Sequence, residues 1–312
     1  ITAQSPANPA NGNISVVASN ICGNSTGSTL ATTGGINATL DAGPDQIVCT
    51  GTTSITLAGQ VGGAIKNHNE WDWIVTTGTI TSPNALNSVY NLPAGASGTI
   101  TIKILSSATN TACPVVEDEM KVIIRPNPTA TISGNATICA GQNTTITFTA
   151  TPNTTVTYRI GTASNQTIAI GETGTATLNT GALTSNTIYN LVSVGYTSAP
   201  ACIQSVNGSA TVTVTPLPTV TAGGPDVVCQ SATPTPITLS GASVGGSATT
   251  GAWSITSGGG TLSSTTQTST PGTVTYTPAA NFSGTVTLTL TTNAPAPCAA
   301  VSATRTITVN QA

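Results

Sequence analysis

The stretch DAGPDQIVCTGTTSITLAG, residues 41–59, decides how this chain reads. A Gly-Pro-Asp turn leads into a short apolar run that ends at Cys49. A polar turn comes next, and then Ile55 and Leu57 alternate with Ser and Thr. Alternation of period two, bounded by Gly and Pro, marks a strand with one buried face. The same order of features returns in PTATISGNATICAGQNTTITFTA (128–150) and in TAGGPDVVCQSATPTPITLSG (221–241), with Ile146 and Phe148, then Ile237 and Leu239, on the alternating face.

Working outward, each of these stretches has a closing counterpart. ACPVVEDEMKVIIRP (112–126), ACIQSVNGSATVTVTPLP (201–218) and PCAAVSATRTITV (297–309) each carry a cysteine and then a final alternating strand. Those strands show Met120, Val122 and Ile124; Val212 and Val214; and Ile307 and Val309. We call Cys49, Cys139 and Cys229 the opening cysteines, and Cys113, Cys202 and Cys298 the closing cysteines. Repeat register pairs the opening and closing cysteines of one module: Cys49 with Cys113, Cys139 with Cys202, and Cys229 with Cys298. Closing a loop of about 65 residues by such a bond stabilises a module by about 4 kcal/mol through restriction of the unfolded chain. Cys22 is the odd cysteine, either unpaired or bonded across a subunit boundary.

Self-similarity at this period predicts a tandem array. The expected domains are 41–126, 127–216 and 217–312, each an all-β sandwich built of short strands. Trp73 follows Cys49 by the same interval as Trp253 follows Cys229, which implies one structural position, a large ring packed across the core. Tyr158, in TVTYRI, stands near this place in the middle module. The joints IIRPNPTATISG and TVTPLPTVTAGG carry prolines, which fix φ and favour extended, semi-rigid linkers. Residues 1–40 are too short for a module. They read as a strand pair around a hairpin, similar to the last two strands of a further domain. Two strands alone leave an apolar face and open edges, so they either pack on the next module or complete a sheet in another chain, as in strand addition.

Composition excludes several functions. Only 5% of the 312 residues are charged and 3% are aromatic, and the net charge is −3. Six cations spread thinly cannot replace the counterions of a nucleic acid. No run of 18 apolar residues exists, so no direct membrane insertion by a helix is expected. Seven cysteines without C-x-x-C spacing, beside a single histidine, argue for disulfides in an oxidising extracellular setting and against zinc.

Catalysis finds little support. A Ser-His-Asp site would have to use His68, which lies in the polar turn IKNHNEWDW. Glu70 and Asp72 share a strand face, but glycoside hydrolysis also needs an aromatic-lined cleft. Asp41, Asp45 and Asp226 sit at joints where oxygen ligands can hold calcium, yet the Gly-Pro-Asp strings are explained as turns. No metal site and no cofactor is expected, and the chain is read as non-enzymatic. Trp71 is the candidate ligand contact, a ring able to stack on a sugar if a bulge turns it outward.

Taken together, AGPDQIVCTG with ITLAG, GGPDVVCQS with ITLSG, TVTYTPAANFSGTVTLTLTT and PCAAVSATRTITV resemble the tandem Ig-like and PKD-like repeats of giant Bacteroidetes cell-surface proteins of the gliding and adhesin type. The resemblance covers nearly the whole chain. It implies three tandem Ig-like sandwiches preceded by a partial Ig-like strand pair, export to the cell surface, and a structural role. That role is a rod or filament that self-associates into a homopolymer through strand exchange or end-to-end contact. The alternative is an adhesin or carbohydrate-binding repeat region of a larger secreted protein, with a surface glycan or cell-surface ligand as partner. The resemblance carries no catalytic residue.

Overall fold

Alternation in the last strand of each module builds its core. In Glu117–Arg125, Met120, Val122 and Ile124 are buried while Lys121 and Ile123 face outward. Ser302–Asn310 obeys the same rule with Ile307 and Val309 inward. The computed structural model describes residues 12–16, 19–24, 28–32, 38–65, 68–107 and 115–311. The chain divides into two compact units, Ile1–Asn127 with Ser198–Cys202, and Pro128–Thr197 with Ile203–Ala312.

In the first unit, one sheet orders Gln46–Cys49, Glu117–Arg125, Gly98–Ser106 and Trp71–Val75. A second sheet orders Thr79–Ile80, Val89–Asn91 and Ser54–Thr56. Trp71, Trp73, Tyr90, Ile102, Ile104 and Val122 share one buried cluster between them. The second unit holds two further clusters. One gathers Ile146, Phe148, Val156, Tyr158 and Tyr189; the other gathers Leu239, Trp253, Tyr276, Leu288 and Ile307. Strands with apolar residues on one face gain little alone, and two facing sheets are the arrangement that hides both faces. The fold is therefore all-β and of the Ig-like sandwich kind.

One pairing recurs in all three modules and sets where their cysteines lie. The short strand that ends at the opening cysteine lies parallel to the closing strand of its own module, whereas neighbouring strands pair antiparallel. Cys49 stands opposite Arg125, Cys139 opposite Thr215, and Cys229 opposite Asn310. Each opening cysteine thus sits at the C-terminal end of its module's closing strand. The residue after it repeats one hydrogen bond in all three modules: Thr50 N–H donates to Arg125 O (3.0 Å), Ala140 N–H to Thr215 O (2.9 Å), and Gln230 N–H to Asn310 O (2.8 Å).

A tyrosine and a glycine pin the opposite sheet in the first and third modules. The Tyr90 hydroxyl donates to Thr77 O at 2.9 Å, and the Tyr276 hydroxyl donates to Gly259 O. Gly78 (φ +76°) and Gly260 (φ +130°) lie against these rings, and an added Cβ would meet a tyrosine ring atom at 2.7 Å in either case. Positive φ and the close ring both demand glycine there.

Near the N-terminus, Gly12–Val16 pairs antiparallel with Ser28–Thr32, and Ile14 stands opposite Leu30. Among the described residues, this pair forms a sheet of two strands.

Candidate functional site

The covalent chemistry that the described residues display lies in their cysteines. Cys49 is bonded to Cys202 with a Cα–Cα distance of 5.4 Å, and Cys139 is bonded to Cys298 at the same 5.4 Å. Both distances fit the range a disulfide spans. Each bond runs from the opening cysteine of one module to the closing cysteine of the next.

This corrects the pairing expected from repeat register. Cys49 is not bonded to Cys113, nor Cys139 to Cys202, nor Cys229 to Cys298. Cys113 itself lies outside the described residues. The reason is the length of the closing strand. A closing cysteine precedes that strand, and an opening cysteine stands at its far end. In the third module the strand has nine residues, which extend it roughly 26 Å at about 3.3 Å per residue. A disulfide needs Cα atoms within about 7 Å. Cysteines at opposite ends of one strand cannot meet, but the far end of one module can be bridged to the near-end loop of its successor.

The first joint is polar and lies within the first unit. The Arg125 guanidinium Nη1 donates to Ser198 O, Ser198 Oγ and Pro200 O, all at 3.1 Å, so its two hydrogens are shared among three acceptors in the loop that carries Cys202. The Arg125 carbonyl accepts from both Thr50 N–H and Thr50 Oγ1. One residue thereby holds the turn after Cys49 with its backbone and the Cys202 loop with its side chain.

The second joint is apolar and lies within the second unit. Thr215 occupies the place of Arg125. A shallow cleft is lined there by Ile138, Leu217, Pro218, Pro297 and Val301 beside the bonded cysteines. Cys298 Sγ approaches Pro216 O at 3.7 Å. A disulfide sulfur has no hydrogen to donate, so this is van der Waals contact. The turn after Cys139 is held by Gln142 N–H to Cys139 O at 3.0 Å and by Gly141 N–H to Leu183 O at 2.8 Å. Cys139, Cys202 and Cys298 are buried, whereas Cys229 carries no bond and is exposed. Cys22 is exposed in the turn after Ser19–Asn20.

The aromatic candidates divide. Trp73 is buried and its indole N–H donates to Ala85 O at 3.1 Å; Trp253 is buried and donates to Pro271 O at 3.0 Å. Tyr158 is buried with its hydroxyl 3.0 Å from Gln166 Oε1. Trp71 is 1% exposed, which corrects its reading as a ligand contact. It shares the inward face of Trp71–Val75 with Trp73, and no bulge turns it out. Burial raises the phenol pKa of Tyr158, Tyr189 and Tyr276 above the ordinary tyrosine value, and for Tyr189 the neighbouring Tyr158 adds to the rise.

The polar candidates serve the fold. Asp45 Oδ1 accepts from Lys121 N–H and Asn135 Oδ1 from Thr211 N–H, both at 2.7 Å, so each holds its own closing strand. Asp226 is taken by Arg305, with Nη2–Oδ2 at 2.7 Å and the guanidinium buried. Glu117 and Glu119 flank the exposed Lys103, while Asp118 turns inward and accepts from Ala42 N–H at 2.7 Å. His68 is exposed in a single helical turn. Among the described residues no three of His, Cys, Asp and Glu gather as metal ligands, and no helix is long and apolar enough to cross a membrane.

No protein-family model and no curated protein sequence matches the chain. Solved structures similar to it include the immunoglobulin domains 1–5 of Sidekick-1, at 13% identity, with 97% of this chain and 67% of that chain covered and a TM-score of 0.41. A marsupial T cell receptor is similar at 9% identity, covering 86% of this chain and 99% of that one, with a TM-score of 0.42. Domains EC22–24 of mouse cadherin-23 are similar at 12% identity, covering 89% and 100%, with a TM-score of 0.36. The likeness is one of fold.

Proposed function

We propose that this chain is an extracellular structural protein, a load-bearing array of Ig-like modules at 41–126, 127–216 and 217–312. The setting implied by its repeat strings is a bacterial cell surface, where it forms a rod or filament. The observation that carries this reading is the pair of disulfides that tie each module to the next. They interlock, because Cys139 lies inside the loop closed by Cys49–Cys202 and Cys202 lies inside the loop closed by Cys139–Cys298.

Interlocking has a mechanical consequence. When every module has unfolded, the reduced chain between Cys49 and Cys298 extends over roughly 250 residues, ~870 Å at about 3.5 Å per residue. With both bonds intact, the shortest covalent route crosses to Cys202, returns to Cys139 and crosses to Cys298. That leaves about 63 residues, ~220 Å. A catalyst gains nothing from this limit, whereas a tether under load keeps its length. The neutral Thr- and Asn-rich surface lowers charge repulsion between neighbouring chains. The two-stranded ribbon of Gly12–Val16 and Ser28–Thr32 offers edges to which strands of another copy add, which is the route we propose for end-to-end polymerisation.

Pulling single molecules by their ends, with and without reductant, tests the load-bearing part. The expected result is a releasable length several-fold shorter when oxidised. Equal lengths in both states would overturn it. Electron microscopy of native material tests the polymer: continuous filaments support it, and isolated monomers at high concentration count against it.

A further inference from the structure

The disulfide offset leaves one position open, and we infer that Cys229 is the outgoing half of a third joint. Its partner is the closing cysteine of an Ig-like module placed after the third one. This deepens the structural reading above and rests on it.

Two observations carry the inference. First, Cys229 occupies the register of Cys49 and Cys139: each ends the short parallel strand opposite the last residue paired in its closing strand. The next residue donates the same backbone bond in all three modules. In two of these three equivalent sites the sulfur is bonded to the following module's closing cysteine. Second, exposure tracks the bond. Cys139 is 8% exposed in its completed joint, while Cys229 is exposed without one.

In chemical terms, the Cys229 thiol and a closing-cysteine thiol lose two protons and two electrons and form one S–S bond. A disulfide oxidant, such as oxidised glutathione or a disulfide-carrying oxidoreductase, accepts them and becomes two thiols. The partner module comes either from the same polypeptide or from a second copy of this chain. The recognition chemistry is the same in both.

Non-reducing peptide analysis of native material, alkylated on extraction, tests this. Pepsin at low pH is suitable because trypsin leaves Cys202, Cys229 and Cys298 in one fragment between Arg159 and Arg305. The expected result is a Cys229 peptide disulfide-linked to a peptide in which a cysteine precedes an alternating strand. A covalent oligomer that reduction converts to monomer assigns the partner to a second copy. Unchanged mass on reduction, with the linked peptide lying outside residues 1–312, assigns it to the same polypeptide. Recovery of Cys229 as an alkylated thiol, with Cys49–Cys202 and Cys139–Cys298 intact, overturns the inference and leaves the load-bearing reading standing. So does a symmetric Cys229–Cys229 bond. A Cys229–Cys298 bond together with Cys139–Cys202 overturns both.

Discussion

The two joints have the same covalent plan and opposite surroundings. At the first, Arg125 grips the Cys202 loop through Ser198 and Pro200. At the second, Thr215 stands in its place and Ile138, Leu217 and Pro297 line a cleft. The difference teaches that the disulfide offset does not depend on the side chains around it. It arises from the parallel pairing of opening and closing strands, which all three modules share, whereas the packing at each joint is free to vary.

The largest test removes the bonds. Cys49→Ala with Cys202→Ala opens the first joint, and Cys139→Ala with Cys298→Ala opens the second. The closed loops span 153 and 159 residues, for which loop entropy gives about 5 kcal/mol each as an upper figure. If the offset alone matters, guanidinium unfolding will show losses of similar size at the two joints. A loss confined to one would break the comparison.

Arg125→Met is the next largest. It removes the hydrogen bonds to the Cys202 loop but keeps the side chain's bulk, and the expected loss is about 1–2 kcal/mol. Faster hydrogen exchange should appear in residues 198–202 and not around Cys298. An equal response at both joints would show that Arg125 is not specific to the first.

Alkaline pH separates the units in another way. The raised phenol pKa values of Tyr158, Tyr189 and Tyr276 all belong to the second unit. A group whose folded pKa is raised binds its proton more tightly when folded. Its contribution is therefore complete below the ordinary tyrosine value near 10 and is lost as pH rises through the folded value. Unfolding followed at pH 8 and pH 11 should show the second unit weakening as the pH rises, with a phenolate absorbance change accompanying unfolding.

Leu217→Ser is the smallest. Leu217 is 57% exposed in the second joint's cleft, so little apolar area is lost and the expected change is under about 1 kcal/mol. A larger effect would mean that apolar packing at the second joint does the work that Arg125 does at the first.

Much of the fold was legible in the sequence because strand periodicity is local. Ile55 and Leu57, Ile146 and Phe148, and Met120 and Val122 announce their buried faces without knowledge of any partner. Trp71 was partly legible: strict alternation puts it on the face of Trp73, and only an imagined bulge turned it outward. The disulfide pairing is not legible in the same way. An opening cysteine ends one strand and a closing cysteine precedes another, so once those two strands are parallel neighbours the two sulfurs lie at opposite poles. Nothing in the spacing states which strands are neighbours.

The sequence alone determined the repeat, the alternation of buried and exposed positions, the chemistry-poor surface and the two classes of cysteine. Each of these depends on residues close together in the chain. Tertiary structure decided which cysteine meets which, because a disulfide forms only where Cα atoms come within about 7 Å. A closing strand of roughly 20–26 Å separates the two cysteines of one module, and the next module's loop closes the gap that the strand leaves open.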